Sequence, residues 1–208
     1  MADTINVMYK KILEHFKNND DVLFRLALQV SDKSIFKLKK SDNFFLSLCR
    51  EIAGQQLAGR AADAIFNRFV NLFPNKEVNA LKILKISDQT LRNSGMSWAK
   101  VRAIKDLALK TKNKEVALEK LGEMEDKDVV LELTKIKGIG AWTAEMFLMF
   151  SLGREDVYSF KDLGLRKAIK KAYKINDLTE VKANEISLCW SPFRTYACRI
   201  LWRSLERI

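Results

Sequence analysis

Two glycines one residue apart, Gly138 and Gly140, lie in the stretch LTKIKGIGAWTA of a chain that holds only 8 glycines in 208 residues. Glycine admits positive φ and lets another molecule approach the backbone without a side chain in the way. A tight turn of this kind at the start of a helix aims successive backbone N–H groups outward as a nest for an anion. Lys135 and Lys137 add two cations beside it. The chemistry this suits is capture of a phosphate, with Lys135, Lys137 and the Gly138 and Gly140 amides as ligands and Thr143 at the start of the next helix. An ordinary helix–helix turn ended by glycine is the competing reading.

The rare residues exclude other chemistries. His15 is the single histidine, so a histidine-based metal cluster is impossible and a Ser-His-Asp or Cys-His mechanism would hang on that one side chain. It stands in YKKILEHFK and reads as structural or surface. Cys49, Cys189 and Cys198 form no C-x-x-C pair and are too few for a four-cysteine zinc or iron–sulfur site. All three sit among apolar helical residues and read as small core residues. Lysine and arginine number 37 against 26 acidic residues, a formal net charge of +11. A surplus of that size favours a polyanionic partner, nucleic acid ahead of a membrane surface.

The elements that must position these groups are helical. In FFLSLCREIA the apolar residues Phe44, Phe45, Leu48 and Ile52 share one face, with Ser41 and Asp42 ahead as caps. After Gly59, Ile65, Phe66, Phe69, Val70 and Phe73 form a second stripe that Pro74 ends. Ser97 caps a helix carrying Val101, Ile104 and Ala108. Lys127–Ile136 and Ala141–Phe150 read as the two helices that flank KGIG, with Ile139 plugged between them. Trp98 and Trp190 read as core. Alternating strand patterns with Asn-Gly or Asp-Gly turns are absent, so the fold class is all-α. The longest apolar runs, such as MFLMF, are far too short to cross a bilayer. The N-terminus lacks the basic start and apolar stretch of a secretory signal, so the expected location is intracellular.

With IKGIGAWTA, three further segments carry a family resemblance: GQQLAGRAADAIFNRF (54–69), LRNSGMSWAKVRAIKDLA (91–108) and WSPFRTYACRILW (190–202). Together they resemble the helix-hairpin-helix DNA glycosylases that carry a Gly/Pro-rich loop and an aspartate, the HhH-GPD superfamily, and within it the 3-methyladenine DNA glycosylase II class of alkylation repair. The resemblance implies one unit over 1–208 with two helical lobes. One spans about 44–150 and ends in the helix-hairpin-helix at 127–150; the other joins 1–43 to 151–208.

The resemblance also implies roles. Its aspartate falls on Asp162, in DVYSFKDLGLRKAI, where a helix N-cap is the bland alternative. A carboxylate beside C1′ would stabilise the positive charge that builds on the sugar as a base leaves. Related lyases carry a lysine where this chain has Trp142, so a monofunctional enzyme that leaves an abasic site is expected. An indole at 142 favours a cationic ring, as in 3-methyladenine or 7-methylguanine nucleotides, by about 0.5–2 kcal/mol. Trp202 matches a pocket tryptophan of the subgroup. Extrusion of the nucleotide leaves a gap for a wedge, Gln56 first and Leu57 second. The expected partner is double-stranded DNA containing damaged bases, without membrane, bound by a monomer. No cofactor is expected, no iron–sulfur cluster, and a monovalent cation at the hairpin is allowed. The alternatives are a glycosylase for other damaged bases and a non-catalytic helix-hairpin-helix DNA-binding module.

Overall fold

The computed structural model describes residues 2–57 and 59–205 and is all-α, with no strand among them. The chain divides into two units, Met1–Lys39 with Gly153–Ile208, and Lys40–Leu152.

The Lys40–Leu152 unit contains α3 (Phe44–Gly54), α4 (Gly59–Val70), α5 (Ala80–Lys85), α6 (Asp88–Asn93), α7 (Trp98–Lys112), α8 (Asp126–Thr134) and α9 (Ala141–Phe150). The cap of α3 is Asn43, whose Oδ1 accepts from the Leu46 amide at 2.9 Å. Ser41 and Asp42 do not fill that role: the Ser41 hydroxyl accepts instead from the Asn43 amide at 3.2 Å and from the Ser47 hydroxyl at 2.8 Å. Ser97 caps α7 as its sequence position implies. The centre of the unit is α9, apolar around most of its circumference, with Ala144, Met146, Phe147, Leu148 and Met149 all buried. Leu48 and Ile52 of α3 are fully buried, and Phe44 meets Phe147 edge to face at 5.7 Å. Phe66, Phe69 and Phe73 are buried as one stripe, with ring contacts along it. Trp98 is not core: it is exposed at the start of α7, with the Arg92 guanidinium 6.0 Å from its ring. A first-turn position on a helix whose buried face carries Val101 and Ile104 leaves the indole facing solvent.

The second unit contains α1 (Ala2–Asn19), α2 (Asp21–Leu28), α10 (Leu163–Ala172), α11 (Glu180–Leu188) and α12 (Arg194–Leu205). Ile12, Phe16, Leu23, Leu165, Ile169, Trp190, Tyr196 and Leu201 are buried in its core. Asp20 ties three segments together: it caps α2 through the Leu23 amide (2.9 Å), accepts from Trp190 Nε1 (2.8 Å) and accepts from the Tyr173 hydroxyl. Burial, then the Asp20 carboxylate, pushes the Tyr173 phenol well above its usual range. His15 is structural, bonding the Cys189 carbonyl at 3.1 Å. Cys49 and Cys198 are buried, whereas Cys189 is exposed, because it follows the last turn of α11, whose buried residues are Ala183 and Ser187.

The segment between α9 and α10 has little regular structure and is pinned to α12. Arg194 makes a forked pair with Asp156 (Nε–Oδ1 2.8 Å, Nη2–Oδ2 3.0 Å), and Ser191 adds a third bond at 2.7 Å. The buried Thr195 hydroxyl donates to the Arg154 carbonyl at 2.6 Å and accepts from the Val157 amide at 3.1 Å. This loop leads directly into Asp162.

Candidate active site

Asp162 is the N-cap of α10, and its Oδ1 accepts from the Leu165 amide at 2.7 Å. The cap explains why an aspartate can stand here, but the same oxygen accepts a second bond, from Trp202 Nε1 at 2.9 Å. Trp202 thus holds the carboxylate by its indole edge, a contact its sequence position did not reveal. Gly164 makes room for it. A Cβ there would lie 3.1 Å from Asp162 Oδ1 and 3.2 Å from Trp202 Nε1. The only outward sign of this in the sequence is a glycine inside the first turn of a helix, where it costs about 1 kcal/mol relative to alanine.

The hairpin lies in the Lys40–Leu152 unit. α8 ends at Thr134, two residues before the end expected, and Lys135 to Gly140 form the turn. Ile139 is buried, as its position implies. The two glycines differ. Gly138 has φ +81°, and a Cβ on it would lie 3.0 Å from the Ala103 Cβ, so the fold itself requires glycine there. Gly140 has φ −97° and nothing within 4 Å of its Cβ position. Gly140 is the N-cap of α9, and its Cβ position is open, so another molecule could approach the backbone there.

The turn is braced from behind. The Lys137 amide donates to Asp106 Oδ2 at 2.7 Å, and Asp106 pairs with Lys110 at 3.0 Å. Lys110 donates to the Lys135 carbonyl, Gln55 Nε2 donates to the Gly138 carbonyl at 2.9 Å, and the Ile139 amide donates to the Ile136 carbonyl at 3.1 Å. These protein donors hold the turn's carbonyls. The amides of Gly138 and Gly140 have no acceptor among the described residues. Lys137 is exposed, and Lys135 is exposed while paired with Glu132 at 2.5 Å. Thr143 is buried, its hydroxyl 3.4 Å from Gln55 Nε2, so its side chain faces the protein.

Gln56, Leu57 and Trp142 are brought together at a cavity of about 460 Å³ that Glu51 and Gln55 also line. Leu57 and Trp142 are exposed, at 39% and 37% of their surface. Gln56 has φ +59°, a left-handed conformation that costs a non-glycine residue about 1 kcal/mol or more. The candidate wedge therefore sits on strained backbone at the end of α3. Among the described residues no group of three or more His, Cys, Asp and Glu side chains is arranged to hold a metal ion, and no described helix is long and apolar enough to cross a membrane.

The model of the HhH-GPD superfamily of base excision DNA repair proteins matches residues 49–192. The DNA-3-methyladenine glycosylase 1 of Schizosaccharomyces pombe is 31% identical over 193 residues, spanning 91% of this chain and 85% of that protein. The solved structure of the Schizosaccharomyces pombe 3-methyladenine DNA glycosylase Mag1 in complex with abasic DNA superposes with a TM-score of 0.84 at 30% identity, over 94% of this chain and 97% of that one. A DNA-3-methyladenine glycosidase structure from Bacillus halodurans gives a TM-score of 0.76 at 32% identity, over 94% and 89%.

Proposed function

This chain belongs to the HhH-GPD superfamily of base excision DNA repair proteins, and from that premise we propose that it is a monofunctional DNA glycosylase that excises alkylated purines of the 3-methyladenine and 7-methylguanine type from duplex DNA. The observation that carries the reading is the Asp162 carboxylate, fixed by the Leu165 amide and the Trp202 indole. The named relatives support the substrate class.

The reaction follows from the charges. An alkylated purine carries a positive charge that weakens its bond to C1′. As the C1′–N9 bond breaks, its electron pair neutralises the base and positive charge moves to the sugar. Asp162, prevented from rotating by two donors, stabilises that charge and accepts a proton from the water that attacks C1′. The products are the free base and an abasic sugar. Trp142 holds the ring before departure. Because 142 is tryptophan and not lysine, no amine follows the hairpin to attack C1′, and the strand stays intact. The Gly138 and Gly140 amides with Lys135 and Lys137 bind phosphate, and Gln56 or Leu57 fills the space the nucleotide leaves.

The test is incubation with methylated duplex DNA and identification of released material by mass. The reading expects free 3-methyladenine or 7-methylguanine and strands that break only after alkali. DNA binding with no release of these bases would point to other damaged bases, or to a binding module if those also stay in place.

A further inference from the structure

Glu51 lies on α3, one turn ahead of Gln55, and both line the cavity that Trp142 borders. The mechanism above does not use it. Its neighbour Arg50 lines the same cavity, but its guanidinium is paired with Asp63, another lining residue, at 2.5 Å and lies 5.1 Å from the Phe66 ring. Glu51 is half-buried, and its carboxylate makes no hydrogen bond to another described residue. Burial pushes its carboxyl above the usual range, with Arg50 opposing. A half-buried carboxylate on a cavity wall, with no protein donor, is open to a ligand that supplies one.

We propose that Glu51 is a specificity-determining residue, the anionic wall of the Trp142 cavity, and that it selects positively charged nucleobases over neutral ones. The two walls are complementary. Trp142 offers a π face that attracts a cationic ring, and Glu51 offers the counter-charge and a hydrogen-bond acceptor for ring or exocyclic N–H groups. A neutral purine would leave the carboxylate uncompensated, so discrimination arises from the cost of the wrong ligand as well as the gain from the right one. Of the two acidic residues on the cavity wall, Asp63 is paired with Arg50, which leaves Glu51 as the carboxylate there without an ion pair. The inference rests on the glycosylase reading for its biological meaning, but the cavity's preference for charge can be measured apart from catalysis.

The probe is a pair of free bases of nearly equal shape, the fixed cation 3,9-dimethyladeninium and neutral 9-methyladenine. Each is titrated against the whole protein by tryptophan fluorescence, with Trp142→Phe assigning the signal. Wild type is expected to bind the cation about tenfold or more tightly than the neutral base. Glu51→Gln, nearly identical in shape, is expected to bring that ratio close to one without lowering the melting temperature. Equal binding of the two bases by wild type, or a ratio unchanged in Glu51→Gln, overturns the assignment. Base release from methylated DNA by the same preparation is scored alongside. A cation preference that depends on Glu51 in a protein that releases no base sustains the cavity's chemistry and removes the glycosylase reading; release without preference does the reverse.

Discussion

Replacing Trp202 with phenylalanine removes one hydrogen bond and keeps an aromatic ring in the α12 position. The bond lost is Nε1–H to Asp162 Oδ1 at 2.9 Å. Bonds of this type to a charged acceptor are worth about 1.5–3 kcal/mol, and each 1.4 kcal/mol is about a factor of ten in rate. If Trp202 serves to fix the carboxylate for the transition state, single-turnover release of 7-methylguanine should fall about ten- to a hundredfold. Affinity for DNA containing an abasic analogue should change by less than about threefold, because the phosphate contacts proposed above lie on the hairpin. The Leu165 amide still holds Oδ1 at 2.7 Å, which is why the loss should stay below that of removing the carboxylate itself. Gly164→Ala approaches the same contact from the other side, since its Cβ would intrude 3.1 Å from Asp162 Oδ1 and 3.2 Å from Trp202 Nε1. The two variants should be sub-additive when combined, as expected of residues that share one interaction. A Trp202→Phe protein that melts normally and releases base within about twofold of wild type would refute the positioning role.

The hairpin glycines should separate stability from binding. Gly138→Ala, at φ +81° and against Ala103, should lose about 1–3 kcal/mol in denaturant unfolding, whereas Gly140→Ala should unfold like wild type yet bind DNA about tenfold more weakly. Gln56→Gly relieves the left-handed strain at φ +59° and should gain about 0.5–1 kcal/mol in urea melts while slowing release from duplex DNA. For Asp156, burial raises the carboxyl, but the bonds from Arg194 and Ser191 outweigh it and hold the group below its usual range. The folded value lies under the unfolded one, so this stabilisation is present above about pH 4 and is lost as pH falls through the folded value. Asp156→Asn should therefore lose about 1–3 kcal/mol at pH 7 and progressively less in acid melts.

Much of the fold was legible because its signals are local. Ser97 caps α7 and Asp162 caps α10 by short-range bonds that side-chain type announces, and the Phe66–Phe69–Phe73 stripe follows from helical spacing. The hairpin was legible for a different reason: two glycines around a buried isoleucine fit few backbones. The misplacements were short-range too. Asn43 won the α3 cap from its neighbours Ser41 and Asp42 by a shift of one or two residues, and Trp98 faces solvent because the buried face of α7 passes through Val101 and Ile104.

The contacts the sequence concealed join residues far apart in the chain. Trp202 reaches Asp162 across 40 positions, Gln55 reaches the Gly138 carbonyl across 83, and Asp106 reaches the Lys137 amide across 31. In the sequence nothing marks Glu51 out; the cavity wall it shares with Trp142 sets it apart. Gly164 is similar, a costly helix residue whose reason is a tryptophan on another helix.

The most direct measurement of the central claim is single-turnover base release by Asp162→Asn, on duplex DNA containing one 7-methylguanine, with binding to abasic-analogue DNA measured on the same protein. Asparagine keeps the oxygen that caps α10 and removes the charge. The account predicts release slowed about a hundredfold or more with binding preserved. Release within about threefold of wild type, from a protein that still binds, would mean that Asp162 is only a helix cap and that the chemistry lies elsewhere.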